Sequence, residues 1–489
     1  MLNITKPLDF VSFGGIIILL DQFLEEIMEK LKRNIDMTEG PFFKKMLVFA
    51  VPLIISGLLQ AFYNAADLIV VGHYRGDFAV AAVGGTSSIS HLVIGLFMGM
   101  SVGAGVCVAH HIGAKEQGEV KKVVSTSLIL SAVLGVLIGA VGFFISEDLL
   151  ILMDTPEAVL PHATLYMQII FLGTPASLVY NYAAAMMRSA GDSRKPMIFL
   201  AVSGVVNVVL NVFLVVVFGM GVDGVAIATI VAQYLSAVIS LVYLTRTSGP
   251  LRFSFKTISF DLSKFKKILY IGIPSGIQGC LFSLSNVVIQ SSVNGFGDVV
   301  MAGSAASANL EAFMYIAMNS IYHVALTFIG QNVGAKKYKN IRRVTIYCCI
   351  LVSAIGLISG ALFLLLRYPL VSLYVSSEEA MTAAFERLWI IASTYFLCGN
   401  MEVFCAGLRS LNRSVTAMII SLCGACGLRI LWIYTVFEYW YHEPIGIYVS
   451  YPITWIVTSL THLLFMTIIV KRIMRKEADR QVLEIISEE

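Results

Sequence analysis

The chain has 489 residues, of which 57% are hydrophobic and only 13% are charged. Soluble globular proteins carry about 25% charged residues, so this chain has too few polar side chains to cover a water-facing surface. The formal net charge of +3 is small, and we expect no nucleic-acid partner. The composition therefore excludes a soluble protein and predicts a chain embedded in lipid, with membrane lipid as its solvent.

The N-terminal residues 1–45 are predicted to be a cytoplasmic lead-in. A short apolar stretch at 11–20 is followed by a charged, amphipathic run and not by a small-residue cleavage site, which argues against a secretory signal peptide. We expect this segment to lie along the membrane surface, with Met37 as an alternative initiator.

Twelve apolar stretches follow, each long enough to cross a bilayer, which takes about 20 residues in a helix. They lie near 47–72, 80–110, 122–145, 164–188, 196–218, 222–245, 268–293, 300–331, 344–366, 385–409, 415–438 and 446–470. No strand-like alternation is present, so the predicted fold is an all-α integral membrane protein. The predicted domains are a six-helix lobe at 46–245, a cytoplasmic linker at 246–267, a second six-helix lobe at 268–470 and a cytoplasmic tail at 471–489.

The positions of the basic residues give an independent test of the helix count. If the N-terminus is cytoplasmic, the cytoplasmic segments hold 30 of the 34 Lys and Arg residues. The opposite loops hold only Arg75 and Arg367, while Arg387 and Arg429 fall within spans. Because cytoplasmic loops are enriched in Lys and Arg, this alternation predicts twelve spans with both termini cytoplasmic.

The two halves of the sequence repeat each other. Matching positions lie 221 or 222 residues apart: Pro52 and Pro274, Asn64 and Asn286, Gly76-Asp77 and Gly297-Asp298, Gly113-Ala114-Lys115 and Gly334-Ala335-Lys336, and Arg188-Ser189 and Arg409-Ser410. Each half has an even number of helices, so both halves enter the membrane from the same side. The repeat therefore predicts two parallel lobes around a central cleft, the arrangement that alternating access requires.

Several segments resemble the multidrug and toxic compound extrusion (MATE) family, and most closely its bacterial DinF-like branch. They are PLIISGLLQAFYNAADLIVVG, AAVGGTSS, RSAGDSRKPM and NVVLNVFLVVVFGMGVDGVAIATIVAQ, and the likeness covers roughly residues 40–475. The resemblance implies a twelve-helix, two-lobe antiporter that expels cationic amphipathic compounds in exchange for protons or sodium ions.

Ionisable residues inside a membrane are costly and are therefore candidates for function. Asp67 stands out, because a carboxylate in a low-dielectric environment binds protons more tightly and releases them when its exposure changes. The resemblance implies that Asp67 belongs to a polar cluster of the N-terminal lobe with Asn207, Asn211 and Thr229. The asparagines are spaced i, i+4 and share one helix face, although hydrogen bonds that pack helices together would explain them equally well.

One departure from the family pattern bears on the coupling ion. The family often has a second acid where this chain has Asn211. Asp67 is then the only carboxylate of the cluster, which favours protons over sodium. We expect no cofactor and no bound metal beyond this coupling ion.

The C-terminal lobe contains a second set of candidates, Glu311, Glu402 and Arg429. Arg429 needs an anionic partner, and Glu402 is the expected one, in a pair that is as often structural as functional. His323 is more typical of a packed core histidine than of a functional group. Pro52, Pro175 and Pro274 each remove a helix hydrogen bond and are predicted hinges.

The eight cysteines lie in apolar stretches and suggest neither disulfides nor a metal site. No phosphate-binding GxxxxGK[ST] loop is present, and no catalytic arrangement is recognisable, so the protein is not expected to be an enzyme. The sequence thus predicts a monomeric multidrug exporter of a bacterial plasma membrane. It would expel small organic cations or amphipathic drugs. The alternative is a flippase for lipid-linked or anionic substrates on the same fold.

Overall fold

The computed structural model describes residues 35–75 and 77–488. Within this part of the chain, twelve helices are long and apolar enough to cross a membrane, as the sequence predicts. In chain order they are α1 (Phe42–Arg75), α2 (Asp77–Gly113), α3 (Gln117–Leu152), α4 (Leu160–Ser189), α5 (Arg194–Val217), α6 (Val222–Arg246), α7 (Leu262–Asn294), α8 (Asp298–Gly334), α9 (Tyr338–Leu365), α10 (Glu378–Ser410), α11 (Ser414–Phe437) and α12 (Pro444–Glu488). A short helix, Arg367–Val371, connects α9 to α10.

Several predicted spans are extended beyond their apolar stretch at one or both ends. The helix α1 begins at Phe42 and includes Lys44 and Lys45, because charged side chains at the ends of a helix are still solvated outside the hydrocarbon. The predicted lead-in upstream of residue 35 lies outside the described residues. The described residues 36–40 contact the C-terminal lobe, where Asn332 Nδ2 donates to the carbonyl of Met37 over 2.9 Å.

The repeat extends to the conformations of the loops. Lys115 after α2 and Lys336 after α8 both have a positive φ, of 61° and 55°. Gly191 after α4 and Asn412 after α10 do so as well, at 96° and 59°. A left-handed residue ends a helix by turning its backbone out of the helical path. The four helices therefore end in matching ways in the two lobes.

Two helices contain π-type turns that interrupt the regular hydrogen-bond ladder. The last turn of α5, Phe213–Val217, is one of them. Its counterpart α11 has two, at Leu422–Gly427 and Ile433–Phe437, on either side of the short α-helical stretch Leu428–Trp432. Such turns are uncommon and are found disproportionately at functional sites. Both helices contribute candidate residues, Asn207 and Asn211 from α5 and Arg429 from α11.

The two lobes contact each other where α2 crosses α7. A Cβ atom on Gly276 would lie 2.1 Å from the carbonyl oxygen of Leu96, so only glycine allows the two backbones to approach this closely. Further along, a Cβ on Gly95 or Gly279 would meet no atom within 4 Å. The close contact thus ends near the middle of these helices.

The helices α1 and α8 also pack across the interface, where a Cβ on Gly57 would lie 2.4 Å from Ile316 Cγ2. Among the described residues, the hydrogen bonds and ion pairs between the lobes lie at one end of the helix bundle, which we call the basic end. Its loops are those between α2 and α3, α4 and α5, α6 and α7, α8 and α9, and α10 and α11. Here Lys264 of α7 forms an ion pair with Glu119 of α3 at 2.6 Å. The backbone N–H of Asp261 donates to Thr126 Oγ1 over 3.1 Å, so the segment before α7 lies against α3. The lobes are therefore joined at the basic end.

Candidate ion-coupling site

The predicted polar cluster of the N-terminal lobe is assembled in the structure. Asp67 of α1 is 8% exposed, and Asn211 of α5 donates a hydrogen bond from Nδ2 to Asp67 Oδ1. The hydroxyl of Thr229 on α6 lies 3.2 Å from Asp67 Oδ2. Asn207 Nδ2 donates to Thr229 Oγ1 over 3.4 Å. We call these four residues the Asp67 cluster, and three helices contribute to it.

The helical spacing explains why two asparagines reach one carboxylate. Asn207 and Asn211 are one turn apart on α5, and their amides are 3.5 Å apart, from Asn211 Nδ2 to Asn207 Oδ1. Both side chains are buried. Since a polar group buried without a partner is costly, these amides bond to each other and to the acid. Asn211 is therefore a direct hydrogen-bond partner of Asp67, whereas Asn207 is connected to it through Asn211 and Thr229.

The charge of Asp67 has no fixed counter-charge nearby. Within the described residues, its hydrogen-bond partners are an amide and a hydroxyl, both neutral, and it forms no ion pair. The buried side-chain oxygen of Asn211, Oδ1, has no hydrogen-bond partner. The cluster therefore offers carboxylate and amide oxygens to a small cation. A proton needs only the carboxylate, whereas a sodium ion needs several oxygens at once.

The part of the chain that the structure describes contains no larger group of metal-binding side chains. Among residues 35–75 and 77–488, no cluster of three or more His, Cys, Asp or Glu residues could hold a metal ion. Asp67 is the only carboxylate of its cluster. A single acid with neutral neighbours is suited to binding and releasing one positive charge.

In the C-terminal lobe, Glu311 is paired with Arg387 and not with Arg429. Arg387 Nε lies 2.8 Å from Glu311 Oε1, and its NH2 group lies 2.9 Å from Oε2, so the pair is bidentate. Arg387 also donates to Ser304 Oγ over 2.7 Å, and Ser307 donates to Glu311. Bidentate, fully hydrogen-bonded pairs of this type are the strong ones. The sequence places Arg387 within a span but does not indicate this partner.

The predicted pairing of Arg429 with Glu402 is wrong. Arg429 is 3% exposed, donates to Thr454 Oγ1 over 3.2 Å and lies 4.0 Å from the centroid of the Tyr451 ring. Aromatic faces attract guanidinium groups, and α12 supplies both of these neighbours. Glu402 was chosen because its span adjoins that of Arg429 in sequence. Glu402 forms no ion pair with Arg429, and the basic residue Arg409 follows it two turns along the same helix, α10.

The other predicted residues lie as follows. Pro52, Pro175 and Pro274 are all inside helices, α1, α4 and α7 respectively, and their role as hinges stays a prediction. His323 of α8 faces a small cavity between the lobes, together with Arg188, Ser101 and Thr327. Val102, Ala185 and Leu326 line the same cavity, so the surroundings of His323 are mixed, and its interpretation as a packed core histidine stays a prediction.

Two parallel six-helix repeats that meet along one interface are the architecture of membrane transporters built from internal repeats. The sequence profile of the MatE family matches residues 52–213 and again 274–435, so the chain belongs to this family, the multidrug and toxic compound extrusion transporters. The two matched segments are displaced by 222 positions. They thus confirm the predicted repeat.

Named relatives cover most of the chain. It is 28% identical to the probable multidrug resistance protein YoeA of Bacillus subtilis, over 85% of this chain and 92% of the relative. It is 25% identical to the probable multidrug resistance protein NorM of Thermotoga maritima, over 86% and 91%. Both relatives are therefore similar along nearly their full length.

Solved structures support the fold. One described as the outward-facing conformation of a multidrug resistance MATE family transporter aligns with a TM-score of 0.85 at 19% identity, over 91% of this chain and 99% of that chain. A transporter from Pyrococcus furiosus, described as having a binding pocket of reverse polarity, aligns with a TM-score of 0.84 at 20% identity, over the same shares of the two chains. At such low identity the likeness concerns the fold alone.

Proposed function

We propose that this chain exports cationic or amphipathic organic compounds by secondary active transport, driven by protons that bind and leave Asp67. Asp67 is a buried carboxylate whose neighbours are neutral, and this observation carries the proposal. Such an acid is stable when protonated and binds a proton from one side when exposed there. The names of the relatives, which refer to multidrug resistance, support the class of substrate.

Alternating access provides the mechanism. With the lobes joined at the basic end, the opposite end of the bundle is the side from which a proton reaches Asp67. The distribution of Lys and Arg supports a cytoplasmic position for the basic end and for both termini. The state described here is then the outward-facing one, in which a substrate leaves and a proton enters. We propose that the protein works in this way as a monomer in a bacterial plasma membrane.

Protons are favoured over sodium ions by the chemistry of the cluster. Asp67 supplies the only full negative charge, and the remaining groups are amides and a hydroxyl. A dehydrated sodium ion must be coordinated by several oxygen ligands at once, as other hard cations are, whereas a proton needs one acceptor. Sodium coupling would require further oxygens, from backbone carbonyls or water.

Flux driven by each ion separately tests the proposal. The purified, full-length protein is reconstituted into liposomes that are loaded with a fluorescent organic cation. Either a proton gradient or a sodium gradient is then imposed at zero membrane potential. Efflux driven by the proton gradient alone is expected. Efflux driven only by sodium would overturn proton coupling, and the absence of efflux under both gradients would overturn the antiport mechanism.

The alternative substrate class, anionic or lipid-linked compounds, has one observation in its favour. Arg429 has no carboxylate partner among the described residues, although it is buried. A buried guanidinium attracts negative groups. Arg387, in contrast, is neutralised by Glu311. Efflux of an anionic dye in the same liposomes, at a rate equal to or above that of the cation, would favour this alternative.

A further inference from the structure

The basic end of the lobe interface contains two hydrogen bonds that are related by the repeat. His110, in the last turn of α2, places Nε2 2.7 Å from the carbonyl oxygen of Ser410, the last residue of α10. Gln331, in the last turn of α8, donates from Nε2 to the carbonyl oxygen of Ser189, the last residue of α4, over 2.8 Å. His110 and Gln331 are 221 positions apart, and so are Ser189 and Ser410. Each lobe thus bonds to the other in the same way.

The two acceptors are carbonyl groups at the ends of helices. The carbonyls of the last helical turn have no partner further along the helix and carry partial negative charge. After α4, the N–H groups of Gly191 and Asp192 turn back to Arg188 and Met187. After α10, those of Asn412 and Arg413 turn back to Arg409 and Leu408 in the same way. Neither turn provides an N–H group for the carbonyl of the last helical residue, Ser189 or Ser410. The side chain of Gln331 or His110, from the opposite lobe, donates to that carbonyl instead.

Glycines bring the same helix ends together on both sides. A Cβ on Gly113 would lie 1.9 Å from the carbonyl oxygen of Gln331, and a Cβ on Gly334 would lie 1.9 Å from that of His110. The two glycines are again 221 positions apart. No side chain fits at either position, so the ends of α2 and α8 are in direct backbone contact.

All four polar residues are shielded from solvent. His110 is 6% exposed, and Gln331, Ser189 and Ser410 are at 3% or less. Separating the lobes leaves two buried donors and two helix-end carbonyls without partners until water enters. Because each lobe is a packed unit, the two bonds break together and not one at a time.

We propose that His110 and Gln331 are the gating residues of the transport cycle: they form an inter-lobe lock with the carbonyls of Ser410 and Ser189 that holds the basic end closed. The Asp67 cluster lies within the N-terminal lobe and shares no residue with the lock. The lock therefore holds the closed state whichever substrate and ion the transporter carries.

Hydrogen–deuterium exchange of the full-length protein in lipid nanodiscs tests the lock. The reporters are peptides spanning 185–195 and 406–416, which contain the two acceptor carbonyls. His110→Ala is expected to speed exchange about fivefold in both peptides, although it removes only the bond to Ser410, and Gln331→Ala is expected to do the same. The double variant is expected to reach about 25-fold if the two losses multiply.

Two further variants separate a lock from a general loss of structure. His110→Gln introduces the residue found at the repeat-related position and is expected to restore exchange to within about twofold of the unmodified protein. His162→Ala changes an exposed histidine at the other end of the same lobe and is expected to change nothing. Gly113→Ala is expected to open the basic end by steric conflict with all the hydrogen-bonding side chains intact.

Two outcomes would overturn the lock. Unchanged exchange in both reporter peptides of the double variant would show that the two bonds do not hold the lobes together. Faster exchange of only the peptide whose own bond was removed would show two independent local contacts. If His110→Ala does not fold, Gln331→Ala and Gly113→Ala carry the same test.

Discussion

The two lobes are built on the same backbone but have different charged residues in their equivalent buried regions. In the register of the two matched family segments, which are 222 positions apart, the residues of the Asp67 cluster correspond to a different set in the C-terminal lobe. The pairs are Asp67 and Ile289, Asn207 and Arg429, Asn211 and Ile433, and Thr229 and Tyr451. Ile289 and Ile433 are buried in an apolar core cluster. The acid of one lobe is thus replaced by a hydrocarbon side chain, and an amide is replaced by a guanidinium.

This difference explains how one duplicated scaffold supports two roles. The N-terminal lobe has a negative charge without a fixed counter-charge, so a mobile cation can bind there. In the C-terminal lobe, the position equivalent to Asn207 is occupied by Arg429. This residue is a permanent cation of the chain, and its guanidinium lies against the Tyr451 ring. One acid of that lobe, Glu311, is already neutralised by Arg387. If the proposed mechanism holds, ion coupling is therefore expected at the Asp67 cluster of the N-terminal lobe.

Replacement of Asp67 by Asn should have the largest effect. The substitution keeps the size of the side chain but removes the charge that binds the proton, so proton-driven efflux should be abolished. The measurement is dye efflux from liposomes under a proton gradient. Asp148→Asn, which changes an exposed acid of the same lobe, serves as the control and should retain full activity. Undiminished efflux by the Asp67 variant would refute the coupling role.

Replacing Asn207 by arginine, the residue at the equivalent position of the C-terminal lobe, should reduce efflux nearly as much. Asn207→Arg would place a permanent guanidinium beside Asp67, and the ion pair would take the place of the proton. Efflux should fall to about the level of the Asp67→Asn variant. The Asn207→Leu variant is the control for crowding, because leucine, like arginine, is larger than asparagine but carries no charge. It should retain part of the activity. Equal activities of the Arg and Leu variants would contradict the electrostatic explanation.

Breaking the ion pair of the C-terminal lobe should lower stability more than transport. Arg387→Met leaves the Glu311 carboxylate buried without its partner, and losses of this type are about 3–5 kcal/mol. Thermal unfolding in detergent measures the change. The double variant Arg387→Met with Glu311→Gln removes both charges and should recover most of the loss. If the double variant is no more stable than the single one, the pair is not the cause.

Removal of the weakest contact in the Asp67 cluster should have the smallest effect. Thr229→Val keeps the shape of the side chain but removes the hydroxyl that lies 3.2 Å from Asp67 Oδ2. A hydrogen bond of this kind contributes about 1 kcal/mol, equivalent to a roughly fivefold change in an equilibrium constant. The proton concentration that gives half-maximal efflux should shift by about that factor. A complete loss of efflux would mean that Thr229 has a larger role than hydrogen bonding to the acid.

Much of the candidate site could be predicted from the sequence because its elements are local or repeated. The resemblance to the family placed Asn207, Asn211 and Thr229 with Asp67, and the structure brings all four together. Pairing in the C-terminal lobe could not be predicted in this way. Glu311 and Arg387 lie 76 positions apart, and no pattern along the chain relates them.

Hydropathy, charge alternation and the 222-residue period determined the twelve helices, the two lobes and the isolated acid, because each is a property of residues close in sequence or of a repeated pattern. Only the tertiary structure decided which charged groups are neighbours. Arg429 illustrates this, because the sequence predicts Glu402 as its neighbour but the structure places the Tyr451 ring there. A helix turns by about 100° per residue, so the side that a residue presents depends on how its helix is rotated against its neighbours. That rotation is set by packing across the whole bundle. The same packing places His110 and Gln331 on the carbonyls of the opposite lobe.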